Sequence, residues 1–157
     1  MIQIRCLMAA ALALAPGVAR TADLQPNVIL VLVDDMGWKD LVCQGSDFFE
    51  TPNLDRLAAS GMRFTNGYSA CTVCSPTRAA VLTGQYPARL HVTDWIAGHE
   101  RPHARLAIPD WTRQLPLQQV TVAERLRAAG YATASIGKWH LGGEGFGPGQ
   151  QGFDVAL

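Results

Sequence analysis

Six consecutive apolar residues, VILVLV at positions 28–33, constrain the fold more than any other stretch of the chain. Valine and isoleucine supply most of it and no polar residue interrupts it, so a strand built from it has no face suited to water. The run therefore predicts a strand buried on both faces, central in a parallel or mixed sheet that helices cover. Asp34 and Asp35 follow at its carboxyl end, the side on which ligand sites of open α/β sheets gather. Two adjacent carboxylates there suit a hard divalent cation such as Ca²⁺ or Mg²⁺; an isolated Asp-Asp near Gly37 would be a solvated turn.

The grammar downstream agrees with a layered sheet. Residues 51–59 predict a helix with Pro52 in its first turn, closed by Ser60-Gly61, where glycine supplies a left-handed residue. Residues 62–68 read as a strand or extended segment. Thr121 and Glu124 form a capping box at the head of a helix that runs through Ala129 and ends at Gly130. Residues 131–136 then read as a short strand, so the class is α/β, with a mostly parallel central sheet flanked by helices. Residues 86–117, rich in Pro, Trp and His, read as a long surface loop with some substrate-facing residues and with Trp95 and Trp111 as packing groups. Pro102 argues against a helix face that would pair His99 with His103 as metal ligands.

The sequence CTVCSPTRAAVLTG at 71–84 gathers several unusual choices. Ser75 reads as an N-cap, Pro76 as the first helical residue, and Thr83-Gly84 as the stop. Cys74 then sits just ahead of a helix N-terminus, where unpaired N–H groups and the positive end of the dipole favour an anion. Arg78, one turn on, adds a fixed fork of donors suited to sulfate or phosphate. Cys71-x-x-Cys74 alone would suit a redox pair or half a zinc site, but the four histidines do not supply a second ligand pair at matching spacing. After the predicted strand at 131–136, GKWHLG at 137–142 puts Lys138 and His140 two residues apart. In extended backbone they point the same way, with Trp139 turned toward the core.

Together CSPTRAAVLTG, GKWHLG and the acidic pair within NVILVLVDDMGW resemble the signatures of the sulfatase family, in that family's order. The segment TPNLDRLAASGMRFTNGYS at 51–69 is similar to its connecting segment, and the resemblance spans residues 26–157. Val81 stands where the family more often has leucine, a core-facing swap. The resemblance implies an alkaline-phosphatase-like α/β fold and a sulfuric ester hydrolase of arylsulfatase type. It implies that a maturation enzyme oxidises Cys74 to formylglycine, whose hydrate is the nucleophile. It also implies that Asp34, Asp35 and the product of Cys74 hold a divalent cation, most often Ca²⁺. Arg78 would orient the hydrate, His140 would hydrogen-bond to it or act as its base, and Lys138 would offset charge on the sulfate oxygens. The implied substrate is a sulfated small molecule or glycan. A phosphonate or phosphodiester hydrolase of the same superfamily would use the same residues, and a non-catalytic binding module that keeps the motifs is a third reading.

Residues 1–22 read as a secretory signal: Arg5, an apolar run at 6–15, then small residues with Gly17-Val18-Ala19 as a cleavage site. That run is short of the ~20 residues a spanning helix needs. The expectation is an exported protein, periplasmic or extracellular, with residues 23–157 forming the N-terminal portion of a sulfatase catalytic domain. Thirteen basic and thirteen acidic residues cancel, so net charge draws the chain neither to nucleic acid nor to an anionic membrane. Beyond the signal, Cys43, Cys71 and Cys74 are an odd number for an oxidising compartment, and pairing of Cys43 with Cys71 stays open. In the family the remaining metal ligands, an Asp followed by Asn or His, come later in sequence. Two carboxylates and the Cys74 product are few for a cation that takes about six to eight oxygens. The expectation is a truncated domain with an uncovered apolar edge, inactive by itself.

Overall fold

A computed structural model describes residues 25–99, 102–103 and 105–157, in two units divided after Val33. The expected signal at 1–22 lies outside the described residues. Among those described, no helix is long and apolar enough to cross a membrane. In the first unit, residues 28–33 join no ladder and are exposed, with Ile29 87% accessible. The expected buried central strand is thus corrected. Such a strand needs neighbours on both edges and helices on both faces, and it joins none among the described residues.

The second unit, Asp34–Leu157, holds four helices, a two-stranded sheet and two 3-10 turns among its described residues. The 3-10 turn Val42–Gln44 leads into α1, Pro52–Ser60. Thr51 Oγ1 accepts from Val42 N at 2.9 Å, and Asp55 Oδ1 accepts from Cys43 N at 2.9 Å, so the first turn of α1 anchors the preceding loop. Gly61 is extended rather than left-handed (φ −115), because its N–H still bonds Leu57 O at 2.9 Å while the chain straightens. Of the two readings of 62–68, strand or extended segment, no strand forms: the segment is irregular, with a turn at Thr65-Asn66, and Met62, Phe64 and Tyr68 are exposed.

Helix α2 spans Cys74–Thr83, two residues earlier than Ser75 as cap would allow. Val73, extended at φ −128 and ψ 163, takes the cap position with no side-chain bond. Ser75 cannot cap because its buried hydroxyl accepts the Ile96 N–H at 3.0 Å. Pro76 is tolerated in the first turn, where its missing N–H would have had no intrahelical partner. Gly84 ends the helix in the left-handed region (φ 68), its N–H bonding Ala80 O at 2.8 Å. Val81 is partly exposed, not core-facing.

The core lies between α2, the short α3 (Pro87–Leu90) and two later segments. Ala79, Leu90, Val92, Leu115 and Leu141 form it, with Leu82, Trp111 and Trp139 packed against them. Residues 86–117 are therefore more than a surface loop, since Leu90, Val92 and Leu115 are among the most buried residues described. Leu115 N bonds Leu141 O at 2.8 Å, which registers the segment after Lys138 against the core.

Helix α4, Val122–Ala128, starts with the expected capping box: Glu124 N donates to Thr121 Oγ1 at 3.2 Å and Thr121 N to Glu124 Oε2 at 2.7 Å. Beyond it the expected strand at 131–136 shrinks to β1, Ala134–Ser135, paired in parallel with β2, Val155–Ala156. Ala134 faces Val155 and Ser135 faces Ala156. Asp154 fixes this corner by accepting from Thr133 N at 2.9 Å and Thr133 Oγ1 at 3.0 Å.

The backbone N–H of Thr133 first, then its hydroxyl and Arg127, hold the Asp154 carboxyl below its usual value of 3.8. A depressed folded-state pKa gives stability that is present above the unfolded value and lost as pH falls through the folded one. Wild type is therefore expected to melt above Asp154→Asn near neutral pH, and the gap to close on acidification below about pH 4. Parallel melting curves across that range check it; a gap that widens in acid contradicts it.

Candidate active site

Two loops and one helix end build the site. The 137–142 loop follows β1 and is pinned by Gly137 N to Leu157 O at 2.8 Å on one side and by Leu115 N to Leu141 O on the other. Within it Trp139 is anchored by Nε1–H to Phe146 O at 2.8 Å and by an edge-to-face contact with Phe153. Its neighbours Lys138 and His140 are left for other partners. His140 is not extended as expected but left-handed (φ 56), so the simple alternation predicted for 138–140 does not hold.

Arg78, on α2, is the most buried charged group here, its side chain 12% accessible. Its Nη1 donates to Lys138 O at 2.6 Å and its Nη2 lies 3.5 Å from Asp34 Oδ2. The same carboxylate oxygen accepts from Lys138 Nζ. Asp34, Arg78 and Lys138 thus form one triad of charges from three distant stretches of sequence. The Lys138 ammonium beside Asp34, aided by Arg78, holds that carboxyl below the usual range. In turn Asp34, and less strongly Cys74, push Lys138 above the usual lysine value. Cys74, half-buried on the first turn of α2, therefore belongs to the same electrostatic neighbourhood.

His140 Nε2 contacts the carbonyl of Ile96, whose N–H is the one held by Ser75. His140 Nδ1 and Arg78 Nε are buried with no hydrogen-bond partner among the described residues. Asp35 is exposed and left-handed (φ 57), a conformation aspartate tolerates at a tight turn. Cys43, Cys71 and Cys74 are all free thiols, so the Cys43–Cys71 pairing left open by the sequence is not formed. Cys71 O instead accepts from Thr77 Oγ1 at 2.8 Å, tying the loop before α2 to its first turn.

Adjacent hard carboxylates at Asp34 and Asp35 fit a divalent cation in donor chemistry. In number they fall short: among the described residues no three of His, Cys, Asp and Glu come together as a cation cage. Asp34, Asp35 and Cys74 are thus not gathered as a set of three, and Lys138 with Arg78 supplies positive charge at Asp34 instead.

A family model described as Sulfatase matches residues 26–156. The chain belongs to the sulfatase family. Human arylsulfatase A is 46% identical over 145 residues, covering 90% of this chain and 26% of its own length. Human N-acetylgalactosamine-6-sulfatase is 46% identical over 134 residues, covering 82% of this chain and 24% of that protein. Among solved structures, Ps i-CgsB aligns with a TM-score of 0.67 and 34% identity over 82% of this chain and 27% of its own. A second, solved with its substrate D-glucosamine-2-N,6-O-disulfate, gives a TM-score of 0.66 and 34% identity over 83% of this chain and 22% of its own. The sulfatase chain described here spans about a quarter of the length of these relatives. Its helices and small parallel sheet are a part of the expected alkaline-phosphatase-like α/β fold.

Sequence motifs pointed to Cys74, Arg78, Lys138, His140, Asp34 and Asp35; of these, Asp34, Arg78 and Lys138 are in contact, Cys74 acts on Lys138 electrostatically, His140 meets the Ile96 carbonyl, and Asp35 is exposed. They did not point to Ser75 as a clamp or to Ile96 as a partner of His140. Ile96 acts through backbone atoms that any residue carries, so its identity gave no signal.

Proposed function

We propose that this sulfatase-family protein hydrolyses a sulfate monoester on a sulfated sugar. The observation that carries the reading is the convergence of Arg78, Lys138 and Asp34 beside Cys74 at the N-terminal turn of α2. Two cations and a helix N-terminus suit a sulfate group better than a neutral substrate. The choice of a sugar is supported by relatives whose names or titles specify N-acetylgalactosamine-6-sulfatase and a glucosamine disulfate substrate.

Cys74, once oxidised to formylglycine by a maturation enzyme, supplies a hydrated aldehyde as the nucleophile toward sulfur. A divalent cation, Ca²⁺ in our reading, would be held in part by Asp34 and Asp35 and would supply Lewis-acid polarisation of the sulfate. Arg78, fixed by the Lys138 carbonyl and Asp34, would orient the hydrate. Lys138 has a side chain 47% accessible, and its ammonium would offset charge developing on sulfate oxygens. His140, its Nε2 occupied by Ile96 O, has Nδ1 left to take a proton within the site. The signal-like residues 1–22 support export to an oxidising compartment.

The test is to produce the protein with a formylglycine-generating enzyme and weigh the peptide that carries Cys74. An aldehyde in place of the thiol is expected and, in a chain extended to carry the family's later metal ligands, metal-dependent release of sulfate from a 6-sulfated glucosamine and faster turnover of 4-nitrophenyl sulfate than of 4-nitrophenyl phosphate. An unmodified thiol overturns the mechanism, and preference for the phosphate ester reassigns the reaction.

A further inference from the structure

The Ser75 hydroxyl is spent in an unusual way. It lies on the first turn of α2, next to Cys74, with no solvent exposure, yet it caps nothing in its own helix. It accepts the Ile96 N–H at 3.0 Å from a loop 21 residues away in sequence. The carbonyl of the same residue meets His140 Nε2. Ser75, the Ile96 backbone and His140 therefore form a continuous strap from the residue beside Cys74 to the imidazole.

A backbone carbonyl can only accept, so the atom facing it, Nε2, must carry the hydrogen. In the neutral ring this leaves the lone pair on Nδ1, the atom that is buried and unpartnered. Left-handed backbone at His140 adds cost to this arrangement, so the ring's pose must be imposed from outside its own segment. Ile96 provides the hydrogen-bond acceptor that imposes it, and Ser75 holds Ile96.

We propose that Ser75 is a positioning residue: through the Ile96 backbone it fixes His140 with Nε2 protonated and Nδ1 free as the proton acceptor of the site. The proposal rests on the hydrolase reading for its kinetic consequence, but not for its structural one. Without the Ser75 oxygen the Ile96 N–H loses its partner, the loop is free to shift, and the carbonyl no longer dictates which ring nitrogen carries the hydrogen. Both tautomers become accessible, and the fraction with Nδ1 as acceptor falls.

Nitrogen-15 NMR of histidine-labelled protein reads the tautomer directly, with the His140 signals assigned from their loss in His140→Gln. Wild type is expected to show the Nε2–H tautomer at His140, and Ser75→Ala a mixture, with Ser75→Thr restoring the wild-type pattern. In formylglycine-bearing protein of measured occupancy that carries the family's later metal ligands, Ser75→Ala is expected to lower kcat about tenfold with KM little changed. Melting curves of both variants separate this from unfolding; if Ser75→Ala does not fold, Ser75→Cys, which keeps the volume but is a weak acceptor, takes its place. An unchanged His140 tautomer in the folded variant overturns the proposal. Absence of sulfate hydrolysis by a wild-type chain extended to carry the family's later metal ligands would instead overturn the hydrolase reading, with the NMR result still deciding the role of Ser75.

Discussion

In a chain extended to carry the family's later metal ligands, Cys74→Ala is expected to abolish sulfate-ester turnover, by about 10⁴-fold or more, while leaving the fold intact. Removing the atom that becomes the nucleophile removes the reaction path itself, whereas losing Lys138 or Arg78 would only raise the barrier along it. The structural cost is small for a specific reason. Cys74 opens α2, where alanine is the best helix former, and the cap is made by the backbone of Val73, not by a side chain. Thermal stability should therefore change by no more than about 1 kcal/mol. Turnover of 4-nitrophenyl sulfate and a melting curve on the same preparation check both halves. A variant that keeps more than a few per cent of wild-type turnover would show that Cys74 is not the nucleophile. One that still binds sulfated sugar as well as wild type separates binding from chemistry, as the hydrolase reading requires.

The parts of the site legible in sequence were those where side-chain chemistry and local turn rules coincide. CSPTR carries a cysteine, a first-turn proline and an arginine one turn on, and α2 places all three within two residues of expectation. The Thr121–Glu124 box was readable for the same reason: both its bonds close within four residues. What was not legible depends on distant partners. Whether 28–33 is a buried strand is decided by neighbours on either edge, which the run itself does not encode, and the residues show 77% exposure at Val31. β2 escaped notice because two residues, Val155 and Ala156, are too few to show a period. Ser75 was misassigned because a serine before a proline is equally suited to cap a helix or to hold another loop, and Ile96 decides between them. Asp34 illustrates the opposite case. Its acidity suggested a metal, and the structure shows what holds that carboxylate when two cations are nearer: the ammonium of Lys138 and the guanidinium of Arg78.

Gly152→Ala is expected to be the most damaging single substitution to stability, costing about 3 kcal/mol or more. Gly152 closes the 3-10 turn Pro148–Gln151 in the left-handed region (φ 93), where any side chain is strained. It is also buried against α4: a Cβ there would lie 2.6 Å from the Glu124 backbone N and 2.9 Å from its Cα. Backbone cannot rotate aside as a side-chain end can, so either the turn or the helix must move. Both are tied down. Thr121 Oγ1 donates to Gln151 O at 2.7 Å while accepting from Glu124 N, and Gln151 Nε2 donates to Leu115 O at 3.0 Å in the core. Thr133 Oγ1 shares its one hydrogen between Gly152 O at 2.7 Å and the Asp154 carboxylate at 3.0 Å, so a shift of the turn also loosens the approach to β1 and, beyond it, the loop of Lys138 and His140. The strain of a left-handed alanine, about 1 to 2 kcal/mol, adds to overpacking of similar size and to partial loss of the capping box. Gly149, three residues earlier, is exposed, has no positive φ and has open space where a Cβ would go, so Gly149→Ala should change stability by less than about 0.5 kcal/mol. Chemical denaturation of the two variants beside wild type decides it: equal midpoints for Gly152→Ala and Gly149→Ala would mean that the contact between the turn and α4 is not tight.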